Sequence, residues 1–168
     1  ARSLEIIDQE ARRLTHLVEN ILLFSRAERH QVRLSPRPCV LAVEVREALQ
    51  SFAPIAAARH VRVVESLDDD ACAMVDVDAF RQIVLNLVDN AIKYSPSGGT
   101  VWVSLASHGA VVRLEVVDEG PGIPPADVER IWTPYFRLER DVSSAVAGSG
   151  IGLAVVRDLV QRHGGRSG

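Results

Sequence analysis

Two amides and an ammonium stand at helical spacing near the middle of the chain: Asn86, Asn90 and Lys93. At about 100° per residue, Asn90 and Lys93 fall within about 40° of Asn86. Ile83, Val84, Leu87, Val88 and Ala91 take the opposite side. Taken alone, such a stripe is most simply the wet face of an amphipathic helix. The residue types say more. An amide oxygen can ligate a hard cation, which prefers oxygen donors. A lysine one turn on can meet a phosphate as a point charge. Together they read as a site for Mg²⁺ and phosphate.

A second group follows. Val112, Leu114, Val116 and Asp118 share one strand face, so the Asp118 carboxylate lies on the side that carries the apolar side chains. There it needs a donor. The exocyclic amine of adenine donates, whereas guanine presents an acceptor at the equivalent position, so Asp118 is a candidate adenine selector. Gly120 and Gly122 come next, where the backbone must bend or let a flat ring approach. A hairpin turn with a solvated aspartate fits this motif by itself equally well.

The third group, Gly148-Ser149-Gly150-Ile151-Gly152, runs directly into a helix beginning near Ile151. Backbone N–H groups at a helix start face an anion, and the helix dipole favours negative charge there. No Gly-Lys-Ser/Thr follows, so this is not a P-loop. No strand precedes it and Leu153 breaks the spacing, so it is not a dinucleotide fingerprint. The bland alternative is a flexible linker. The three groups describe three parts of one ligand: base, metal and phosphates.

The elements that must position them follow from periodicity. Residues 3–28 read as a helix, with Leu4, Ile7, Ala11, Leu14, Val18 and Ile21 forming the a/d seam of a helical bundle that needs a hairpin partner or second subunit. Pro36 and Pro38 read as a linker. Val43–Ala58 is a helix that Pro54 should kink or break. Strands are predicted over Val61–Glu65, Cys72–Val75, Val101–Ser107 and Ala110–Asp118, with His108–Gly109 as the turn between the last two. Asp78–Tyr94 is the clearest helix, stopped by Ser95-Pro96-Ser97-Gly98-Gly99. Gly120–Pro125 is a stiff turn, Pro125–Trp132 a short helix, and Arg137–Gly150 an unpatterned stretch. Ile151–His163 is the last helix. Helices and strands in separate runs argue for an α+β fold, a two-layer sandwich with helices on one face of a mixed sheet. The expected organisation is an opening coiled-coil-like helix over 1–34 and a compact domain over 35–168.

The same residues carry a family resemblance. Asn86-Leu-Val-Asp-Asn90-Ala-Ile-Lys93-Tyr94-Ser-Pro resembles the N box of sensor histidine kinases, members of the gyrase, chaperone, histidine kinase and MutL ATPase superfamily. Asp118-Glu-Gly120-Pro-Gly122-Ile123 is similar to their first glycine box, and Trp132-Thr-Pro-Tyr-Phe136-Arg137 to the F box. Gly148-Ser-Gly150-Ile-Gly152-Leu153 resembles the second glycine box. The opening helix, through Arg13-Leu-Thr-His-Leu-Val-Glu and Leu23-Phe-Ser-Arg, resembles the second helix of the dimerisation hairpin.

The resemblance implies a Bergerat-type ATP-binding fold and a set of roles. Asn90 would hold Mg²⁺ with Asn86 nearby, and Lys93 and Tyr94 would contact ATP. Asp118 would bind the adenine amine, with Gly120, Gly122 and Ile123 beside it. Arg137 and Arg140 would approach the γ-phosphate from a lid. Gly148, Ser149, Gly150, Ile151, Gly152 and Leu153 would line the phosphate end and let the lid close. It implies as partners a phosphoacceptor (H-box) helix, a response regulator and a second copy of the parent kinase. The setting implied is the cytoplasmic portion of a membrane-anchored sensor.

Departures sharpen this. The acceptor histidine of the family is followed by an acidic residue and then a proline, and none of His16, His30, His60, His108 and His163 is. The chain is therefore expected to bind ATP without phosphorylating itself. The family also continues past His163-Gly-Gly with one or two strands, which this sequence does not include, and Ala1 is not a methionine, so the chain reads as a piece of something longer.

Hydrolytic relatives of the gyrase, MutL and heat-shock chaperone type place a glutamate one turn before the metal-binding asparagine. Asn86 stands there, and an amide cannot accept a proton at neutral pH. An anti-sigma serine kinase of similar fold, or a degenerate module that only binds a partner, are the other readings. A net charge of −3 gives no reason to invoke nucleic acid. Cys39 and Cys72 have no metal-binding spacing and read as ordinary thiols. No apolar run reaches the about 18 residues that a membrane span needs.

Overall fold

A computed structural model describes residues 33–142 and 148–168. The helix expected over 3–28 lies outside the described residues.

The elements follow in the order β1 (Arg37–Val40), α1 (Leu41–Ala58), β2 (Arg62–Leu67), β3 (Cys72–Val75), α2 (Val77–Tyr94), β4 (Thr100–His108), β5 (Val111–Asp118), a 3₁₀ turn (Arg130–Trp132), α3 (Glu139–Val142) and α4 (Gly152–Arg162). β2, β4 and β5 form a mixed sheet in that order, β2 parallel to β4 and β4 antiparallel to β5. β1 and β3 form a separate antiparallel pair. Its register sets Cys39 opposite Ala73 and Cys72 opposite Val40, so the two thiols point to opposite faces.

The core forms where period-2 and period-3.6 patterns meet. Val101, Val103 and Leu105 of β4 point inward, joined by Val112, Leu114 and Val116 of β5. Val45, Ala48 and Phe52 of α1 and Phe80, Val84, Val88, Ala91 and Ile92 of α2 cover them. α2 has a second apolar edge. Ala79 and Ile83 pack against Ile151, Val155, Val156 and Leu159 at and within α4. α2 is thus sandwiched between the sheet layer and α4, which makes it the helix that every other part of the site can reach. The expected α+β architecture, helices layered on a mixed sheet, is what the chain adopts.

Several local expectations are corrected. Pro36–Pro38 is not a plain linker: Arg37–Val40 pairs with Cys72–Val75, and Pro38 is tolerated because a two-stranded ribbon has only edges. Pro54 does not break α1, which runs unbroken from Leu41 to Ala58. It lies on the exposed face with Gln50, whose carbonyl loses its helical donor on the side open to water. The helix expected over Pro125–Trp132 shrinks to successive tight turns, with Arg130 N–H on the Asp127 carbonyl at 2.8 Å and Thr133 N–H on the Arg130 carbonyl at 2.9 Å. Prolines 124, 125 and 134 leave too little length for more. Within the stretch expected to be unpatterned, Glu139–Val142 forms one helical turn.

Candidate functional site

The site is built around α2. Asp76 caps its start by accepting the Ala79 N–H at 3.1 Å, and the same carboxylate accepts the Ser35 N–H at 2.9 Å. These two amides, the Ser35 one foremost, and the nearby His163 hold the Asp76 carboxyl below the usual carboxylate range. His163 also ties the end of α4 to the start of α2: its Nε2 accepts the Asp76 N–H at 3.0 Å while Nδ1 lies 2.7 Å from the Leu159 carbonyl. The far end of α2 closes with the Ser95 N–H on the Ala91 carbonyl at 3.0 Å, and Arg59 donates to the Lys93 carbonyl at 3.1 Å.

The expected polar stripe on α2 divides. Asn86 is buried at 3% exposure, with Gln82 beside it at 7%. Asn90 and Lys93 are half-buried at the margin. Lys93 is held by Asp89 one turn earlier, an ion pair along the helix. The start of α4 approaches Asn86 so closely that a Cβ on Gly152 would stand 3.1 Å from Asn86 Oδ1.

The strand that delivers Asp118 ends at the other side of α2. Asp118 is exposed, and its Oδ1 accepts the Gly120 N–H at 2.7 Å. Its strand-face neighbours Val112, Leu114 and Val116 pack on the core, as the alternation predicts. Gly120 lies against the last turn of α2: a Cβ there would come 2.9 Å from the Tyr94 carbonyl oxygen and 2.5 Å from Asp118 Oδ1. No residue but glycine fits. Ile123 is exposed beyond it.

The third segment closes the circle. Arg140 donates to the Gly122 carbonyl and so ties α3 to the loop after β5. Arg137 donates to the Asp141 carbonyl. The Tyr94 phenol faces Asp141, and burial first, then the charge of Asp141, pushes it up. Gly150, at φ +71°, receives the Tyr135 N–H on its carbonyl at 2.9 Å, and a Cβ there would lie 2.8 Å from the Tyr135 carbonyl carbon. Ser149 Oγ accepts the Ile151 N–H at 3.3 Å. Trp132 packs against the α4 cluster, and Arg130 lies over the Phe136 ring at 4.4 Å.

Three stretches remote in sequence therefore meet around one helix: Asn86 with Gly152, Tyr94 with Gly120 and Asp118, and Gly122 with Arg140. Not every expected contact residue faces this space. Ile151, at 1% exposure, belongs to the core between α2 and α4. Leu153 is half-buried on the first turn of α4, and Gly148 is exposed. Asp141 and Asp89 escape a reading of the sequence by motif. Asp89 is detectable as a carboxylate four residues before Lys93, but Asp141 sits where no periodicity marks it.

The family model for histidine kinase-, DNA gyrase B- and HSP90-like ATPases matches residues 75–167. The sensor histidine kinase RppB of Synechocystis is 32% identical over 163 residues, covering 96% of this chain and 36% of the relative. The sensor histidine kinase WalK of Bacillus subtilis is 30% identical over 167 residues, covering 98% of this chain and 27% of the relative. The chain thus spans well under half the length of these relatives. Among solved structures, the mycobacterial sensor histidine kinase MprB superposes with a TM-score of 0.66 at 29% identity, over 77% of this chain and 81% of that one. The Acinetobacter baumannii histidine kinase AdeS gives 0.71 at 25% identity, over 94% and 72%. The chain belongs to the histidine kinase-, DNA gyrase B- and HSP90-like ATPase family, in the form carried by the catalytic region of sensor histidine kinases.

Proposed function

We propose that this chain binds Mg-ATP in the space bounded by α2, the loop after β5 and the start of α4, and delivers the γ-phosphate to a histidine on a separate hairpin helix for relay to a response regulator. The observation that carries the reading is the meeting of Asn86 with Gly152 on one side of α2 and of Tyr94 with Gly120 and Asp118 on the other. An adenine on Asp118 would leave its triphosphate running along α2 towards the glycines. Ile123 would border the base, and Arg137 and Arg140 would turn from their carbonyl partners to the γ-phosphate.

Mg²⁺ fits this donor set as an ion carried by the nucleotide. Among the described residues no three His, Cys, Asp or Glu side chains cluster to hold a metal. The amide oxygen of Asn90 on α2 would hold the ion, with Asn86 nearby, and phosphate oxygens and water would supply the other ligands. When bound, it neutralises phosphate charge. The protein's own part is positioning: Asp118 selects the base, Lys93 and Tyr94 border the sugar and phosphates, and the glycines admit the lid. Phosphoryl transfer asks for little more than alignment and charge neutralisation.

Transfer is favoured over hydrolysis because Asn86, one turn before Asn90, is a buried amide that faces Gly152 and has no basic lone pair with which to activate water. The reading extends to a division of the chain, expected from the sequence pattern: a bundle helix over 1–34, whose apolar seam would pair it with a hairpin partner or a second copy, and a nucleotide-binding domain over 35–168. Among the described residues no helix is long and apolar enough to cross a membrane.

Reconstitution tests this. The chain is mixed with a separately made hairpin carrying an acceptor histidine and with radiolabelled ATP. Acid-labile label on the hairpin, absent with Asn90→Ala, is the expected result. Steady release of inorganic phosphate with no labelled protein would overturn it in favour of a hydrolase.

A further inference from the structure

Asp141 stands out because the function above leaves it without a task. It is 7% exposed, which for a carboxylate demands partners. It finds them among residues assigned to the nucleotide. The Tyr94 phenol lies close enough for the Asp141 charge to raise its ionisation. The Arg140 guanidinium lies 3.6 Å from Oδ1. Its backbone carbonyl accepts from Arg137, and its own N–H bonds the Leu138 carbonyl at 2.9 Å. A buried anion therefore sits at the junction of two arginines and a tyrosine that the bound nucleotide would also use.

We propose that Asp141 is a specificity-determining residue of this pocket, a built-in competitor for Arg140 that lowers the preference for a nucleoside triphosphate over the diphosphate. The proposal rests on the nucleotide reading given above. In the free protein Arg140 is shared between the Gly122 carbonyl and the Asp141 carboxylate. Turning Arg140 towards a terminal phosphate removes that cation from beside a buried carboxylate and leaves the carboxylate to its remaining neighbours, the Tyr94 phenol among them. Taking one partner from a buried charge is far costlier than parting an exposed pair. Arg140 itself is about two-fifths exposed, so solvent moderates the cost without removing it. The diphosphate lacks the terminal group that draws Arg140 away, so the opposing effect falls on the triphosphate alone.

The test is calorimetric titration of the full chain with Mg-ADP and with a non-hydrolysable Mg-ATP analogue, for wild type, Asp141→Asn, Arg140→Gln and the double variant. Asp141→Asn keeps the shape and one acceptor oxygen and removes the charge. It should tighten the triphosphate about fivefold relative to the diphosphate. In the Arg140→Gln background the same change should leave the ratio as it is, because the competition has lost its object. An unchanged ratio in Asp141→Asn, or an equal change in both backgrounds, would overturn the proposal. If the wild type binds neither nucleotide, the pocket itself has been misread. If it binds both with a ratio indifferent to Asp141, only this inference falls.

A second readout is independent of binding. The chain has two tyrosines. In a Tyr135→Phe background the remaining phenol, Tyr94, can be titrated by its ultraviolet absorbance. Asp141→Asn should move that ionisation to lower pH, since the carboxylate is one cause of its elevation. No movement would mean that the contact is not made in solution, and the proposal would fall with it.

Discussion

Gly152, the first residue of α4, lies against the buried amide of Asn86 on α2, close enough that a Cβ would stand 3.1 Å from Asn86 Oδ1. Asn86 has 3% exposure and is already bonded, so it cannot simply swing aside. Gly152→Ala should push the start of α4 outward while the Val155, Val156 and Leu159 packing holds the rest of that helix in place. Nucleotide affinity is expected to fall roughly tenfold, with a loss of stability of about 1 kcal/mol, in the range for overpacking one methyl group. Calorimetry and thermal melting check the two separately.

Asp118→Asn should weaken adenine nucleotides by about tenfold or more, because the carboxylate is the acceptor proposed for the base amine and a charge-assisted hydrogen bond contributes roughly 1.5–3 kcal/mol. Competition assays with ATP and GTP measure the difference. The amide oxygen of the variant would still accept the Gly120 N–H, so the turn should survive. Equal loss for both purines would remove the adenine role.

Asn90→Ala should lose the metal-dependent part of binding. Affinity for ATP with Mg²⁺ is expected to drop towards the value measured in a chelator, and the value in chelator should barely change. Titrations with and without the ion give the comparison; a uniform drop in both would mean that Asn90 contacts the nucleotide directly.

Asp76 sets an acid limit on stability. Its carboxyl is held low by the Ser35 and Ala79 N–H groups and by His163. A depressed folded pKa gives stabilisation that is fully present above the unfolded value, about 3.9 for aspartate, and lost as pH falls through the folded value. Denaturant melts should therefore lose stability below about pH 4, and Asp76→Asn should flatten that limb. Asp76→Ala, which also removes the helix cap, should cost about 1 kcal/mol at neutral pH.

The sequence is most legible where a physical pattern is strong. α2, expected from Asp78, runs from Val77, because Asp76 is a capping residue and Ser95-Pro96 a firm stop. Cys72–Val75 is a strand with the bounds expected. The β4–β5 hairpin is visible because alternation marks both strands, although its loop is Gly109-Ala110 rather than His108–Gly109. Pro38 hides β1, since proline argues against a strand until a partner with an open edge is known. Pro54 gives a false break for the converse reason: packing of Val45, Phe52 and Ala56 outweighs one lost hydrogen bond on a wet face. At the site, helix geometry groups Asn86, Asn90 and Lys93 but cannot tell that Asn86 is buried while the other two border the opening, because burial depends on where α4 docks. The pairing of Lys93 with Asp89 is local and within reach. The position of Asp141 beside Tyr94 and Arg140 joins residues across a stretch with no periodicity, and only the fold brings them together.

The most direct test of the nucleotide pocket is isothermal titration of the folded chain with a non-hydrolysable ATP analogue in the presence of Mg²⁺. Saturable binding of one molecule per chain, weakened when Mg²⁺ is chelated and when Asp118 is replaced by asparagine, is the expected result. Absence of heat and of any change in melting temperature, in material that unfolds cooperatively, would contradict it.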